Sequence, residues 1–282
     1  MIQKETINRE PDPISCASPH QRIYNPDTWV PFPPDLLYPF TIVPAQQADH
    51  LSMRRYDTKY ILPRSYLPDL LLSLCPHYQL TCYQNRIIQR YETIYFDDAD
   101  FSLYNDHQRG KLNRFKIRMR YYPTTITSFL EIKQKTNHQT TIKSRFSVPF
   151  NQYESGSITE TDYSLLQDCI DSPLLPLSVT LCTRYTRIAL ISNNTSERLT
   201  LDMDLRFFDD PHGCSINPGN FIVAEIKQER PTLHSPFRRI MKKRLISSRS
   251  FSKYCFGVFL LYPQVKHNLF KENYGGLCEK YH

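Results

Sequence analysis

Two short runs constrain the fold of this chain more than any others: Arg118-Met119-Arg120 and Glu131-Ile132-Lys133. Each sets charged residues two apart inside an otherwise strand-like stretch. Along an extended strand, residues i and i+2 point the same way. Each pair therefore presents its charges on one face while Ile117, Met119, Leu130 and Ile132 take the other. The pattern returns at Asp57-Thr58-Lys59, through Arg198-Leu199-Thr200-Leu201-Asp202-Met203-Asp204, and at Glu225-Ile226-Lys227. One such strand alone reads as the wet side of an antiparallel sheet. Five of them, biased towards Lys59, Arg118, Arg120, Lys133, Arg198 and Lys227 over Asp57, Glu131, Asp202 and Glu225, read as one built surface. If the strands close into a barrel, the charged face becomes the lumen and the apolar face packs outward against helices. A lumen of Lys and Arg is costly to desolvate, so it stays wet when empty and attracts a polyanion.

The rest of the chain supplies the other pieces of such a fold. Strand candidates fall near 56–62, 91–97, 112–121, 128–135, 140–148, 179–191, 197–207 and 220–227, enough to close a barrel. The expected class is α+β: an eight-stranded antiparallel β-barrel tunnel with a few flanking helices. Helical spacing follows Ser65 over 66–74, follows Ser157 and Thr159 over 160–170, and follows Ser235 and Pro236 over 236–248. The last helix carries Arg238, Arg239, Lys242, Lys243 and Arg244, either as a solvated basic face or as an anion-attracting rim. Nine prolines within residues 1–44 block helices and central strands there. This predicts an extended or disordered arm over 1–50, pinned in part by Trp29, Phe32 and Phe40. A single domain follows over 51–262, then a tail over 263–282. One all-β domain commonly fills about 200 to 250 residues.

Composition narrows the partners and the compartment. A net charge of +7 favours phosphates, nucleic acid or acidic lipid without choosing among them. The eight cysteines show no close C-x-x-C pair and read as scattered reduced thiols. The first ten residues are polar, and no run approaches the roughly 20 apolar residues of a membrane span; Cys255 to Leu261 reads as a core segment. The expected location is the cytoplasm, with a separate membrane partner left open. His77, His107, His138 and His234 lack metal spacing and read as surface or loop residues. Asp97-Asp98 and Asp209-Asp210 read as turn formers. Tyr95 and Tyr121-Tyr122 read as wall packing rather than base stacking.

Nine motifs fall in order along the chain: Arg55-Tyr56-Asp57-Thr58-Lys59-Tyr60, Ile94-Tyr95-Phe96-Asp97, Lys116-Ile117-Arg118-Met119-Arg120-Tyr121, Phe129-Leu130-Glu131-Ile132-Lys133, Ile142-Lys143-Ser144-Arg145-Phe146, Tyr185-Thr186-Arg187-Ile188-Ala189, Arg198-Leu199-Thr200-Leu201-Asp202, Ala224-Glu225-Ile226-Lys227 and Phe251-Ser252-Lys253-Tyr254. In this order they resemble the VTC (vacuolar transporter chaperone) domain, the polyphosphate polymerase branch of the triphosphate tunnel enzymes. The resemblance covers about residues 53 to 258. It implies a tunnel that takes ATP with Mn²⁺ or Mg²⁺ and moves the terminal phosphoryl group onto inorganic polyphosphate. It implies catalytic phosphate contacts from Arg118, Arg120, Lys133, Lys143, Arg187, Arg198 and Lys253. Lys59, Glu131, Lys227 and Ser252 follow as further ligand-binding positions, and Glu225 as the metal ligand. Asp57 stands where relatives more often carry Glu, and the sensing helical domain and membrane spans of the fungal relatives are absent from this sequence.

The chemistry asks for these residue types. Phosphoryl transfer passes through a loose transition state with its charge spread over equatorial oxygens, so catalysis is mostly positioning and electrostatics. Arg forks grip two oxygens at once, and Lys offers a compact charge for successive phosphates. With 7 Gly and no Gly-rich phosphate loop, side chains must do the cradling. Three readings stay open: a polymerase, a metal-dependent triphosphate or tripolyphosphate hydrolase on the same tunnel, and a binding module for polyphosphate or inositol phosphates. An open tunnel favours a polymer and a blocked one a short substrate. A nucleic-acid partner is not expected: it would ask for basic residues interleaved with exposed aromatics on an open face, and the paired Glu and Lys on the inner strands argue against that.

Overall fold

A computed structural model of the chain describes residues 32–45, 56–137, 141–170, 172–209, 214–229 and 234–281. Trp29, His138, Asp210 and most of the Pro-rich arm lie outside the described residues.

The eight expected strands all form: β2 (Tyr56–Pro63), β4 (Ile88–Asp97), β5 (Arg114–Tyr122), β6 (Thr127–Lys135), β7 (Thr141–Val148), β8 (Ser178–Ser192), β9 (Arg198–Asp209) and β11 (Phe221–Gln228). Three short ones join them: β1 (Ile42–Pro44), β3 (Tyr78–Cys82) and β10 (Cys214–Ile216). The sheet runs in the order β2-β11-β9-β8-β4-β5-β6-β7, with every neighbour along this path antiparallel.

The sheet does not close into a barrel, which corrects the sequence expectation. The open edge of β2 is engaged by a coil segment instead of β7. Arg249 N donates to Lys59 O at 2.9 Å, and Lys59 Nζ donates to Phe251 O at 2.9 Å. The first of these bonds occupies a backbone carbonyl at that edge. The sheet is nonetheless strongly curled, because Lys133 on β6 comes within 4.0 Å of Asp57 on β2, six strands away along the path.

Period-two alternation sorts the faces as expected. On the convex side Leu62, Leu199, Leu201, Ile222 and Ile226 are buried beneath α1 (Leu67–Leu74) and α5 (Pro236–Lys243). Ile94, Ile117, Met119, Leu130 and Ile132 are buried with residues of α3 (Phe150–Ser155) and α4 (Glu160–Asp168). Thr159 caps α4 through a reciprocal bond with Asp162, and Ser235 caps α5. Ser65 caps nothing: Arg64–Tyr66 is a 3-10 turn, and α1 starts after it with Pro68 in its first turn. Asp97 accepts backbone bonds from Leu103 and Tyr104 in α2 (Ser102–Gln108) and a hydroxyl bond from Tyr254, a structural use that fits the turn reading. The residues 263–281 form a 3-10 turn and two short helices, α7 (Lys271–Tyr274) and α8 (Leu277–Tyr281), whose Tyr274 and Leu277 are buried.

The segment 255–261 is core, as read, but belongs to a helix, α6 (Lys253–Leu261), laid against the concave side of the sheet. It is apolar nearly all round because it is buried nearly all round. Tyr254 and Phe256 pack with Ile61, Tyr95, Leu181, Phe207 and Val223, so one part of the concave face is dry. Gly257 permits this seat: a Cβ there would lie 2.4 Å from Leu181 Cδ2 and 2.7 Å from Phe207 Cδ1. Helix propensity favours Ala over Gly, but packing favours Gly here. Gly257→Val is therefore expected to lower stability by about 1–3 kcal/mol through overpacking. Chemical denaturation reads this directly, and an unchanged midpoint would contradict the seating of α6.

Candidate phosphate-binding site

The register of β5, β6 and β7 builds the site in rungs. Arg118, Glu131 and Arg145 stand opposite one another on adjacent strands; so do Lys116, Lys133 and Lys143, and then Arg120, Phe129 and Ser147. On the far wall Arg187 faces Asp202, Glu225 faces Lys59, and Lys227 faces both Arg198 and Asp57. These positions share the concave face by alternation and register. That face carries Lys59, Arg114, Lys116, Arg118, Arg120, Lys133, Lys135, Lys143, Arg145, Arg187, Arg198, Lys227 and Lys253 against Asp57, Glu131, Asp202 and Glu225. Thirteen minus four gives +9, more than the net +7 of the whole chain.

Carboxylates neutralise this array in three groups. Glu131 is wholly buried and holds three cations. Arg118 donates to Oε2 through Nε at 2.9 Å and Nη2 at 2.7 Å, Lys143 Nζ reaches Oε1 at 2.5 Å, and Arg145 Nε lies 3.6 Å away. Burial alone would raise the Glu131 carboxyl, but Arg118, Arg120 and Lys143 overcome it and keep the group ionised, well below the usual carboxylate range. Asp202 accepts a bidentate pair from Arg187, at 2.5 Å and 2.7 Å, and a further bond from Lys253. In the third group Lys227 Nζ lies 2.8 Å from Glu225 and 3.5 Å from Asp57, and Lys59 Nζ lies 3.8 Å from Glu225. Against the pull of burial, Lys227 and Lys59 hold the Glu225 carboxyl well below its ordinary value.

Aromatic rings support the cations from behind. Tyr91 and Tyr185 stack at 5.1 Å, the Arg187 guanidinium lies 4.9 Å and that of Arg120 5.4 Å from the Tyr91 ring, and Lys253 sits 4.3 Å from Tyr185. Arg145 lies 3.5 Å over Phe129. Each contact positions a charge without adding a competing anion. Tyr121 packs against Phe150 and Tyr153 on the convex side, which fits the wall-packing reading.

A cavity of about 450 Å³ opens beside the gap between β2 and β6, lined by Lys59, Lys116, Lys133, Arg114, Arg249 and His107, among others. His107 is structural: Arg114 Nε donates to its Nδ1, its Nε2 bonds Phe115 O, and burial keeps the ring neutral by lowering its pKa. Burial pushes the Lys116 ammonium down to about 8, and burial with repulsion from Lys59 pushes Lys133 down to about 7. Lys133 keeps a side-chain exposure of 38%, so water moderates that shift. Burial likewise moves Lys143 to about 8 despite Glu131.

All twelve residues singled out in the sequence come to this region, Ser252 by a different use. Its Oγ caps α6 by accepting from Cys255 N, which sets Lys253 in the first turn facing Asp202. Asp202, read from the sequence only as part of the charged face, joins the site as an ion-pair centre, and Lys116 and Arg145 join it without having been picked. Their signal was there in the alternation 198-200-202, 116-118-120 and 143-145. Among the described residues no three His, Cys, Asp or Glu side chains form a metal cluster. Glu225 with Asp57 still suits a hard divalent cation, since Mg²⁺-type ions commonly take one or two carboxylates and complete their shell with phosphate oxygens and water.

The VTC domain profile matches residues 54–262, and the chain belongs to that family. No curated protein matches the chain significantly. Among solved structures it is similar to a Bacillus halodurans protein described as a candidate adenylate cyclase. Identity is 13%, 74% of this chain and 97% of that one are covered, and the TM-score is 0.49. It is also similar to a Hippeastrum protein described as having a dominant triphosphatase activity, at 14% identity over 76% of this chain and 98% of that one, with a TM-score of 0.43.

The lysine rung has a measurable consequence. A bound polyanion favours protonated Lys116, Lys133 and Lys143, so binding takes up protons, and affinity falls as pH climbs through 7 and 8. Calorimetry of tripolyphosphate binding in buffers of different ionisation enthalpy checks this. An affinity flat across that range, with no proton uptake, would show the three ammonium groups fully charged beforehand.

Proposed function

We propose that the domain is a polyphosphate polymerase that transfers the terminal phosphoryl group of ATP onto an inorganic polyphosphate chain. The observation that carries this reading is the cation array: a net +9 spread over successive rungs exceeds what one bound triphosphate neutralises, and leaves positions for a second, acceptor polyanion. Arg118, Arg120 and Arg187 fork onto donor phosphate oxygens, while Lys59, Lys133, Lys143, Lys253, Arg198 and Lys227 hold the remaining negative charge. A terminal oxygen of the acceptor chain attacks the γ-phosphorus in line. The bond from γ-phosphorus to the β,γ-bridging oxygen breaks, ADP leaves, and the chain is longer by one phosphate. A divalent cation, Mn²⁺ or Mg²⁺, held by Glu225 with Asp57 would offset repulsion between donor and acceptor. The protein's part is to bring two anions into contact and to screen the developing charge from water.

A hydrolase reading draws on a different observation. Helix α6 fills part of the concave face, which favours a short substrate with water as the attacking nucleophile.

Incubation with ATP and Mn²⁺ or Mg²⁺, with products resolved on gels and by ADP and orthophosphate assays, separates the readings. Polymer with equimolar ADP is the expected result; orthophosphate without polymer would replace polymerase by hydrolase, and triphosphate binding without turnover would leave a binding module. Arg118→Ala is expected to cut turnover by about a hundredfold or more while the protein still folds.

A further inference from the structure

Helix α5 ends on a residue that neither its backbone conformation nor burial explains. Ile246 N bonds Met241 O at 3.0 Å and Leu245 N bonds Lys242 O at 3.1 Å, the paired bonds of a Schellman stop. The residue at the left-handed position of such a stop is usually Gly, sometimes Asn. Here it is Leu245, with φ of 56°, and it is 93% exposed. A leucine is the wrong residue for that backbone and gains nothing there from burial.

The segment that carries it is basic throughout. No acidic residue occurs between His234 and Lys253, while Arg239, Lys242 and Lys243 are exposed and Arg244 lies 5.2 Å over the partly exposed Tyr66 ring. The platform is rigid: Phe237 and Met241 anchor α5 in the convex core, Ser235 caps it, and Pro236 starts it. A fixed aliphatic knob ringed by cations matches a hydrocarbon layer beneath anionic headgroups. Nucleic acid would ask instead for an aromatic to stack on a base.

We propose that α5 and Leu245 form a docking surface for an anionic lipid bilayer, independent of the phosphate chemistry on the concave face. No helix among the described residues is long and apolar enough to cross a membrane, so contact through this surface is peripheral.

Flotation of the full chain with phosphatidylcholine vesicles, with and without phosphatidylserine, tests the proposal. Binding is expected only to the anionic vesicles and falls steeply with added salt. Lys242→Glu with Lys243→Glu weakens binding by about 25-fold or more, at about fivefold per basic side chain. Leu245→Gly weakens it by about tenfold without lowering the melting temperature, because Gly suits the backbone better, so lost binding cannot be blamed on misfolding. Arg118→Ala leaves vesicle binding unchanged. Equal binding by wild type and the α5 variants, equal binding to neutral vesicles, or RNA binding through these residues with no vesicle binding would overturn the proposal.

Discussion

Glu131 is the interaction on which the concave face depends. It is wholly buried, and no apolar substitute could sit among Arg118, Lys143 and Arg145 without leaving those cations exposed to one another. Gathering like charges on one side of a curled sheet is unfavourable unless something of opposite sign lies between them. Asp202 does the same for Arg187 and Lys253, and Glu225 for Lys59 and Lys227. These carboxylates stand where phosphate oxygens would be welcome. They keep the unliganded fold together, and their number falls short of the cations by enough to leave a net pull on an incoming polyanion.

The same arrangement divides the concave face. Where α6 lies against it, Tyr95, Leu181, Phe207 and Val223 exclude water; beside that, the rungs of β5 to β7 stay charged. The N-terminus of α6 marks the border, with Ser252 spent on capping and Lys253 turned to Asp202. A helix that closes part of the fold thus also supplies a cation to the site, so packing and ligand binding are coupled through one element.

Much of this was legible in the sequence because alternation is a local signal. The long strands, and with them Lys59, Arg118, Arg120, Glu131, Lys133, Arg198, Glu225 and Lys227, could be read from residues two apart, since the sheet has one apolar and one charged face; Lys143, Arg187, Ser252 and Lys253 came from the family resemblance. What was not legible depended on contacts distant in sequence. β2 and β7 do not pair, and a coil residue, Arg249, bonds the β2 edge at Lys59 O instead; nothing in Arg249-Ser250-Phe251 announces that contact. Helix α6 was hidden because a short run apolar on all sides carries no period. Strand β3 was missed because its five residues are too short a run for alternation to show; it is held between β1 and β8, both distant in sequence. Helix α5 stops before residue 248 because Leu245 adopts a left-handed turn that its side chain does not advertise. Ser252 lay in the right place but with its hydroxyl directed to a cap.

If the carboxylates hold the place of phosphate, removing one should harm the empty protein and be repaired by the ligand. Thermal unfolding of Glu131→Gln with and without tripolyphosphate measures this most directly. The variant is expected to lose about 3 kcal/mol when empty and to regain more stability from saturating tripolyphosphate than the parent protein does. A ligand increment equal to that of the parent would mean that Glu131 is a structural ion-pair partner remote from the bound anion, and would contradict the role given to it here.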